Sequence, residues 1–294
     1  MRPHFEWRLG SRTLRLGERT WIMGVVNVTP DSFFDGGRYA ETRTAVDHAL
    51  RLLDEGADII DVGGESTRPG AQAGSQGGSQ AQVTAEMELR RVIPVIAELK
   101  RLRPDALISV DTYKSDVARA AVEAGAEIVN DISGLCWDAE MAGTLAALKC
   151  GVVLMHVRGR PEEWRSLPAL ENAMEVVSDE LQERARAAMA TGIERSRIVL
   201  DPGFGFGKNF EENYPLLARF DEFHKLGFPL LAGTSRKSFI GKAVGRGEIA
   251  PPEQRLFGSV AAAVISILKG AHIVRVHDVR ETVEAAAAVD AVMG

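Results

Sequence analysis

The sequence predicts a single α/β domain, a (β/α)8 TIM barrel with a short N-terminal β-hairpin. Three observations lead there. Eight short apolar runs alternate with amphipathic segments, the polar residues of each run gather at its C-terminal end, and 294 residues suit a barrel of about 250 with additions. Strands that are apolar throughout are buried on both faces, which requires a parallel sheet covered by helices.

The hairpin comes first. FEWRL and RTLRL alternate around Gly10-Ser11, so residues 1–19 are expected to form a two-stranded ribbon closing the barrel bottom, with residues 20–294 forming the barrel. The barrel strands are WIMGVVNV, DIIDVG, ALISVD, EIVND, VVLMH, RIVLD, PLLAG and HIVRV. Helical spacing fills the intervals, as in Thr42 to Asp54, Ala85 to Arg101, Ser115 to Ala124, Glu171 to Ala190, Glu253 to Lys269 and Val279 to Met293. An open doubly wound sheet would concentrate its polar residues at one switch point. Here Asn27, Asp61, Asp111, Asn130, His156, Asp201, Lys237 and Arg275 with His277 are spread over all the strand ends, as one shared mouth requires. The Gly/Ser/Gln stretch from Ala71 to Gln82 is a loop of flexible-coil composition after the second strand.

Composition excludes several classes. A content of 45% hydrophobic and 26% charged residues is that of an ordinary globular chain, and a net charge of −6 without a basic stripe gives no footprint for nucleic acid or a membrane surface. Two cysteines, Cys136 and Cys150, make neither a disulfide framework nor a zinc cluster. With no apolar leader and no run of about 20 apolar residues, a cytoplasmic protein is expected. Val260 to Leu268 suits an interface helix as well as a core helix, and a homodimer is the expected assembly.

Seven motifs carry chemistry. In GVVNVTPDSFFDGG, Asn27 could lend a neutral oxygen to Mg2+ beside a phosphate, or could cap its own turn. DVGGESTRPG sets Arg68, a planar fork for a carboxylate or phosphate, behind two glycines. SVDTYK and VNDISG end neighbouring strands in Asp111 and Asn130, which suit a polar heteroaromatic ligand, although Asp111 could instead cap the next helix. DPGFGFGK reads as a mobile apolar flap behind Asp201, whose carboxylate can accept two parallel bonds from an amidine-like edge; it lacks P-loop spacing. GTSRKSFIG and RVHDV follow the last two strands, where barrels often hold phosphate, and Arg275 and His277 share a strand face. His156 has no nucleophile to serve and reads as structural or pocket-lining.

Together, and in this order, the motifs resemble those of the dihydropteroate synthase family over nearly the whole chain. The resemblance implies a transferase of folate biosynthesis, and a sulfonamide target, that joins a dihydropterin methyl diphosphate to p-aminobenzoate and releases pyrophosphate. It implies pterin contacts at Asp111, Asn130, Met155, Asp201 and Lys237. The anion site would be Thr67, Arg275 and His277, and the p-aminobenzoate pocket Phe33, Pro69, Phe206 and Ser238. Asp35, Arg68 and Lys237 would act in the reaction, and Asn27 would meet Mg2+, the expected cofactor. The loop after Gly70 is longer than usual for the family. p-Aminobenzoate is expected to bind after the pterin. The alternatives are a pterin-dependent methyltransferase, which needs no pyrophosphate site, and a non-catalytic pterin-binding paralogue, which should have lost loop residues.

Overall fold

A computed structural model describes residues 2–28, 37–65 and 83–294. Two short antiparallel strands, β1 (Phe5–Arg8) and β2 (Thr13–Leu16), open the chain, with Gly10 in the left-handed region at their turn. Eight parallel strands follow: β3 (Trp21–Asn27), β4 (Ile59–Gly63), β5 (Leu107–Asp111), β6 (Ile128–Asp131), β7 (Gly151–Met155), β8 (Ile198–Asp201), β9 (Leu231–Ala232) and β10 (Ile273–Val276). Their order is β8-β7-β6-β5-β4-β3-β10-β9, and a parallel bridge from Leu200 to Leu230 closes the ring. Each expected strand is present.

Strand register decides which residues meet inside. Met23, Ile59, Leu107, Ile128, Val153, Val199, Leu231 and Ile273, one from each strand, form an apolar layer across the barrel floor. Two residues further along each strand, the same inward face carries Val25, Asp61, Ser109, Asn130, Met155, Asp201, Gly233 and Arg275. Side chains of a strand alternate faces, so a layer of hydrocarbon passes to a layer of polar groups within one pleat. The opposite parity, including Ile22, Val26, Ile60, Val62, Ile108, Val110, Val129, Val152, Leu154 and Leu200, packs outward on the helices.

The helices are α1 (Gly37–Asp54), α2 (Ala85–Leu102), α3 (Ser115–Glu123), α4 (Met141–Leu148), α5 (Ala173–Ala190), α6 (Phe210–Ala218), α7 (Ser238–Val244), α8 (Leu256–Leu268) and α9 (Val279–Met293). Local chemistry sets their ends. Thr84 caps α2 by accepting from the Met87 N–H, with Glu86 and Glu88 in the first turn and Lys100 and Arg101 in the last. Asn172 caps α5, which therefore starts at Ala173 rather than Glu171. The stretch before α8 is a separate short 3-10 turn at Pro252–Gln254, because adjacent prolines 251 and 252 favour extended backbone before it.

The hairpin packs beneath the floor layer. Trp7 and Leu16 are fully buried there with Leu9 and Leu14, and the Trp7 indole N–H donates to the Arg197 carbonyl at 2.8 Å. Arg197 in turn donates to the Cys150 and Leu145 carbonyls at 2.7 and 2.6 Å. Gly151 is required opposite, since a Cβ there would meet Leu9 and the Trp7 ring. Trp7→Ala should therefore cost about 3–5 kcal/mol, read as a lowered midpoint in urea; an unchanged midpoint would mean that the hairpin contributes nothing to barrel stability.

Candidate active site

The polar layer ends at a mouth built from the strand C-termini. Arg275, on β10, reaches across it: Nε donates to Asp61 Oδ2 and Nη2 to Asp111 Oδ2, each at 2.6 Å. Asp61 Oδ2 also accepts from Asn130 Nδ2 at 3.1 Å, so β4, β6 and β10 meet at one carboxylate, and Asp111 adds β5 through Arg275. Burial pulls the Arg275 pKa down, yet the two carboxylates hold it above its usual value. Asp111 is pushed up to about 7 because burial disfavours its charge and Asp61 repels it, against the attraction of Arg275. The helix-capping alternative for Asp111 is not what the side chain does. Ser115 N, at the start of α3, donates instead to Asp138 at 2.7 Å.

Asp201 stands across the mouth at the end of β8. Burial pushes it up to about 6, opposed by the Gly203 N–H and by Lys237, Lys208 and Arg275. Gly203 N donates to its Oδ1 at 2.7 Å. The Lys237 ammonium lies 3.8 Å from the centre of the Phe206 ring, and Trp164 meets the same ring edge-on at 5.5 Å. Met155, Val157, Ile132, Tyr113 and Phe206 make an apolar wall beside these charges, with Trp137 and Trp164 packed against it. One side of the mouth is thus a charged, hydrogen-bonding edge and the other a flat hydrocarbon surface. Ser238, half-buried, opens α7 directly after Lys237.

Asn27 and His277 line a cavity of about 660 Å3 with Arg236, Asp278, His48 and Arg51. The His277 backbone N–H donates to Ser235 Oγ at 3.2 Å, and Oγ lies 3.1 Å from His277 Nδ1. Arg236 has φ +56 and is committed to Asp278, with Nε donating at 3.0 Å, so its charge serves the loop rather than an anion. Among the described residues no three His, Cys, Asp or Glu side chains converge as a metal cage.

Asn27, Asp111, Asn130, Met155, Asp201, Phe206, Lys237, Arg275 and His277 lie on loops or strand ends at this side of the barrel, and Ser238 lies at the start of α7. Phe33, Asp35, Thr67, Arg68 and Pro69, and the stretch 71–82, lie outside the described residues. The DPGFGFGK loop, expected to be a mobile apolar flap, is tied to its neighbours at several points. Gly203, Gly205 and Gly207 adopt left-handed φ, and a Cβ on Gly203 or Gly207 would strike the His156 or Arg158 carbonyl. Gly205 N donates to Asn213 at 2.7 Å, and Lys208 ties further carbonyls, so the loop is braced on all sides. His156 is fully buried and faces α5, with Nε2 3.0 Å from Glu180; burial and nearby cations keep it well below the usual histidine pKa. Asp131 also turns away, accepting from Ser133 and Leu135 within its own turn. Asp61 is the central residue to which sequence reasoning gave no role. Its parity with Asp111 and Arg275 was the available signal, whereas nothing in the sequence around Trp164 marked it as a neighbour of Phe206.

Fold and site together define a barrel whose mouth has the shape and polarity to suit a flat, polar heterocycle. The family model that matches residues 23–277 is described as the pterin-binding enzymes. Among curated relatives, the dihydropteroate synthase of Escherichia coli K12 is 46% identical over 274 residues, covering 92% of this chain and 91% of its own. That of Clostridium beijerinckii is 43% identical, covering 97% and 99%. A solved Xanthomonas albilineans dihydropteroate synthase with 4-aminobenzoic acid superposes with TM-score 0.88 at 44% identity, covering 99% of both chains. Another from that organism, in complex with 7,8-dihydropteroate, gives TM-score 0.82 at 43% identity over 95% and 96%. The chain belongs to the dihydropteroate synthase family of pterin-binding enzymes.

Arg275→Met should leave Asp61, fully buried, without its cation. Losing one partner of a buried pair commonly costs about 3–5 kcal/mol. Because the Asp111 pKa is raised, charging it opposes folding, so the loss should be greatest above pH 7 and shrink as Asp111 takes up its proton. Denaturation midpoints at pH 5.5 and 8.5 would reveal this; equal losses at both would show that the pair does not titrate as described.

Proposed function

We propose that this enzyme condenses (7,8-dihydropterin-6-yl)methyl diphosphate with p-aminobenzoate, giving 7,8-dihydropteroate and pyrophosphate by an SN1-like substitution. The observation that carries the reading is the two-sided mouth: Asp111, Asn130, Asp201 and Lys237 offer acceptors and donors in one edge, beside the flat wall of Met155 and Phe206. A pterin has that shape and polarity. Its amidine-like N–H edge would be accepted by the Asp201 carboxylate, and its ring oxygen and nitrogens would face Lys237 and Asn130.

The diphosphate would lie toward Arg275 and His277, helped by Thr67. Asp61, Asp111 and Asp201 are three carboxylates against the two cations Arg275 and Lys237, so this mouth alone does not neutralise a diphosphate. Mg2+ arriving with the diphosphate would supply the missing charge and ease departure of pyrophosphate. Asn27 fits it as a single neutral oxygen, since Mg2+ keeps several waters and takes few protein ligands beside a phosphate. Fixed charges oriented before reaction stabilise the departing anion without reorganising. The pterin methylene cation would be faced by Asp35 and captured by the arylamine, held by Phe33, Pro69, Phe206 and Ser238, with Arg68 at its carboxylate. Positioning the amine supplies part of the rate.

We also propose a homodimer, supported by Phe257, Ile265 and Leu268 exposed on α8, which sedimentation would check. No helix among the described residues is long and apolar enough to cross a membrane.

Mass-spectrometric detection of 7,8-dihydropteroate from the two substrates and Mg2+ tests the reaction, and its absence would defeat the reading. Asp201→Asn presents a donor where a second acceptor is needed and should weaken pterin binding by about 1–3 kcal/mol; calorimetry showing equal affinity would remove this role from Asp201. Since the Asp201 pKa is raised to about 6, the accepting carboxylate is present above that pH. Pterin affinity should fall by about tenfold for each pH unit well below it, and a flat profile from pH 4.5 to 8 would contradict the assignment.

A further inference from the structure

The loop that follows Asp201 ends in a buried residue to which the proposed reaction gives no part. Lys208 closes the Asp201-to-Lys208 loop and is 8% exposed. Its ammonium donates to three carbonyl oxygens, those of Gly203 at 2.8 Å, Phe206 at 3.2 Å and His156 at 3.4 Å. An ammonium has three donors and no acceptor, so the cradle matches the charged form donor for donor. Two of these carbonyls belong to the loop after β8 and one to the segment after β7, and the tie draws the two together. It does so where Gly203 and Gly207 already touch the 156–158 backbone too closely for any side chain.

We propose that Lys208 is a positioning residue for the substitution: a buried cation that fixes where the Phe206 ring stands and keeps the Asp201 carboxylate charged toward the pterin. The inference rests on the reaction proposed above. The Phe206 carbonyl is held by Lys208 on one side of the loop while its ring receives the Lys237 ammonium and Trp164 on the other. Loop shape is thereby converted into ring position.

The charge acts on Asp201. After burial and the Gly203 N–H, the groups that act most on this carboxylate are Lys237 from the loop after β9, Lys208 from its own loop and Arg275 from β10. From β7 it meets Met155, which is apolar, and His156 is turned to Glu180 and uncharged. Lys237 and Arg275 would both be drawn toward bound substrate. Lys208 is held instead by three backbone carbonyls, so its position does not depend on the substrate. Burial and neighbouring cations pull its own pKa well below the usual lysine value, which Asp201 opposes, so each group supports the charge of the other.

Lys208→Met removes tie and charge, and Lys208→Gln removes the charge while keeping two N–H donors for the carbonyls. Pterin affinity would be measured by calorimetry from pH 5 to 8.5, and KM for p-aminobenzoate at pH 8. Wild-type dihydropteroate formation is established first in the same assay; its failure would count against the proposed reaction and not against Lys208. In both variants the acid limb of pterin binding should move up by about half a pH unit or more, with affinity at pH 8.5 nearly unchanged. KM for p-aminobenzoate should rise about fivefold in the Met variant and less in the Gln variant, whose retained donors hold the loop. A structural role alone would lower stability without moving the limb. If the Met variant fails to fold, the Gln variant carries the test. A folded variant with the wild-type acid limb, or a Gln variant with p-aminobenzoate KM as impaired as Met, would overturn the proposal.

Discussion

Arg275 bridging Asp61 and Asp111 is the constraint on which the mouth depends. A guanidinium taken from water at the centre of a barrel is costly unless its donors are met, and carboxylates beside it are costly unless it is there. Each makes the others tolerable. Asn130 joins the same oxygen of Asp61, so four strands reach their common end with their polar groups already oriented. What a ligand would encounter is a set of charges held against each other, with a raised Asp111 pKa showing how finely the balance is drawn.

Around that centre the barrel separates two environments by one pleat. The floor layer is hydrocarbon from every strand, and the layer two residues on contains three carboxyl or amide side chains and a guanidinium. The packed floor gives the polar layer a firm base, and the loop after β8 adds three glycines in left-handed conformation, two of them where backbone approaches backbone. Rigidity here is a property of the loop as well as of the strands. The DPGFGFGK segment has the composition of a flexible flap, yet its glycines bring its backbone directly against the 156–158 segment, to which Lys208 ties it.

That segment shows where reading from sequence stops. Strand existence, inward parity and the gathering of polar strand ends were legible, because period-2 alternation and buried apolar runs are local properties of the chain. Asn130 next to Asp61, and Asp111 under Arg275, were legible only as members of one mouth. Their pairing depends on the stagger between strands, which no local pattern encodes. Asp61 drew no role because nothing near it in sequence distinguishes a bridging carboxylate from a strand-end cap. The alternatives left open for His156 and Asp111 were resolved by direction: one side chain points to α5, the other into the barrel. Glycine composition suggested motion where φ values and neighbouring carbonyls impose fit. Long-range charge balance and backbone proximity are both products of the fold, and both were out of reach.

The hairpin beneath the floor has a consequence for traffic. Trp7, Leu9, Leu14 and Leu16 cork the lower end of a ring already filled by its apolar layer, so among the described residues side chains fill the axis at that end. The described barrel is a cup that opens at the strand C-termini. Every species that enters must leave by the rim it came in through, and a proton released at the bottom of the cup has to depart past the bound molecules or wait for them. Two products formed deep in such a vessel cannot exit independently: the one nearer the rim governs the release of the one behind it.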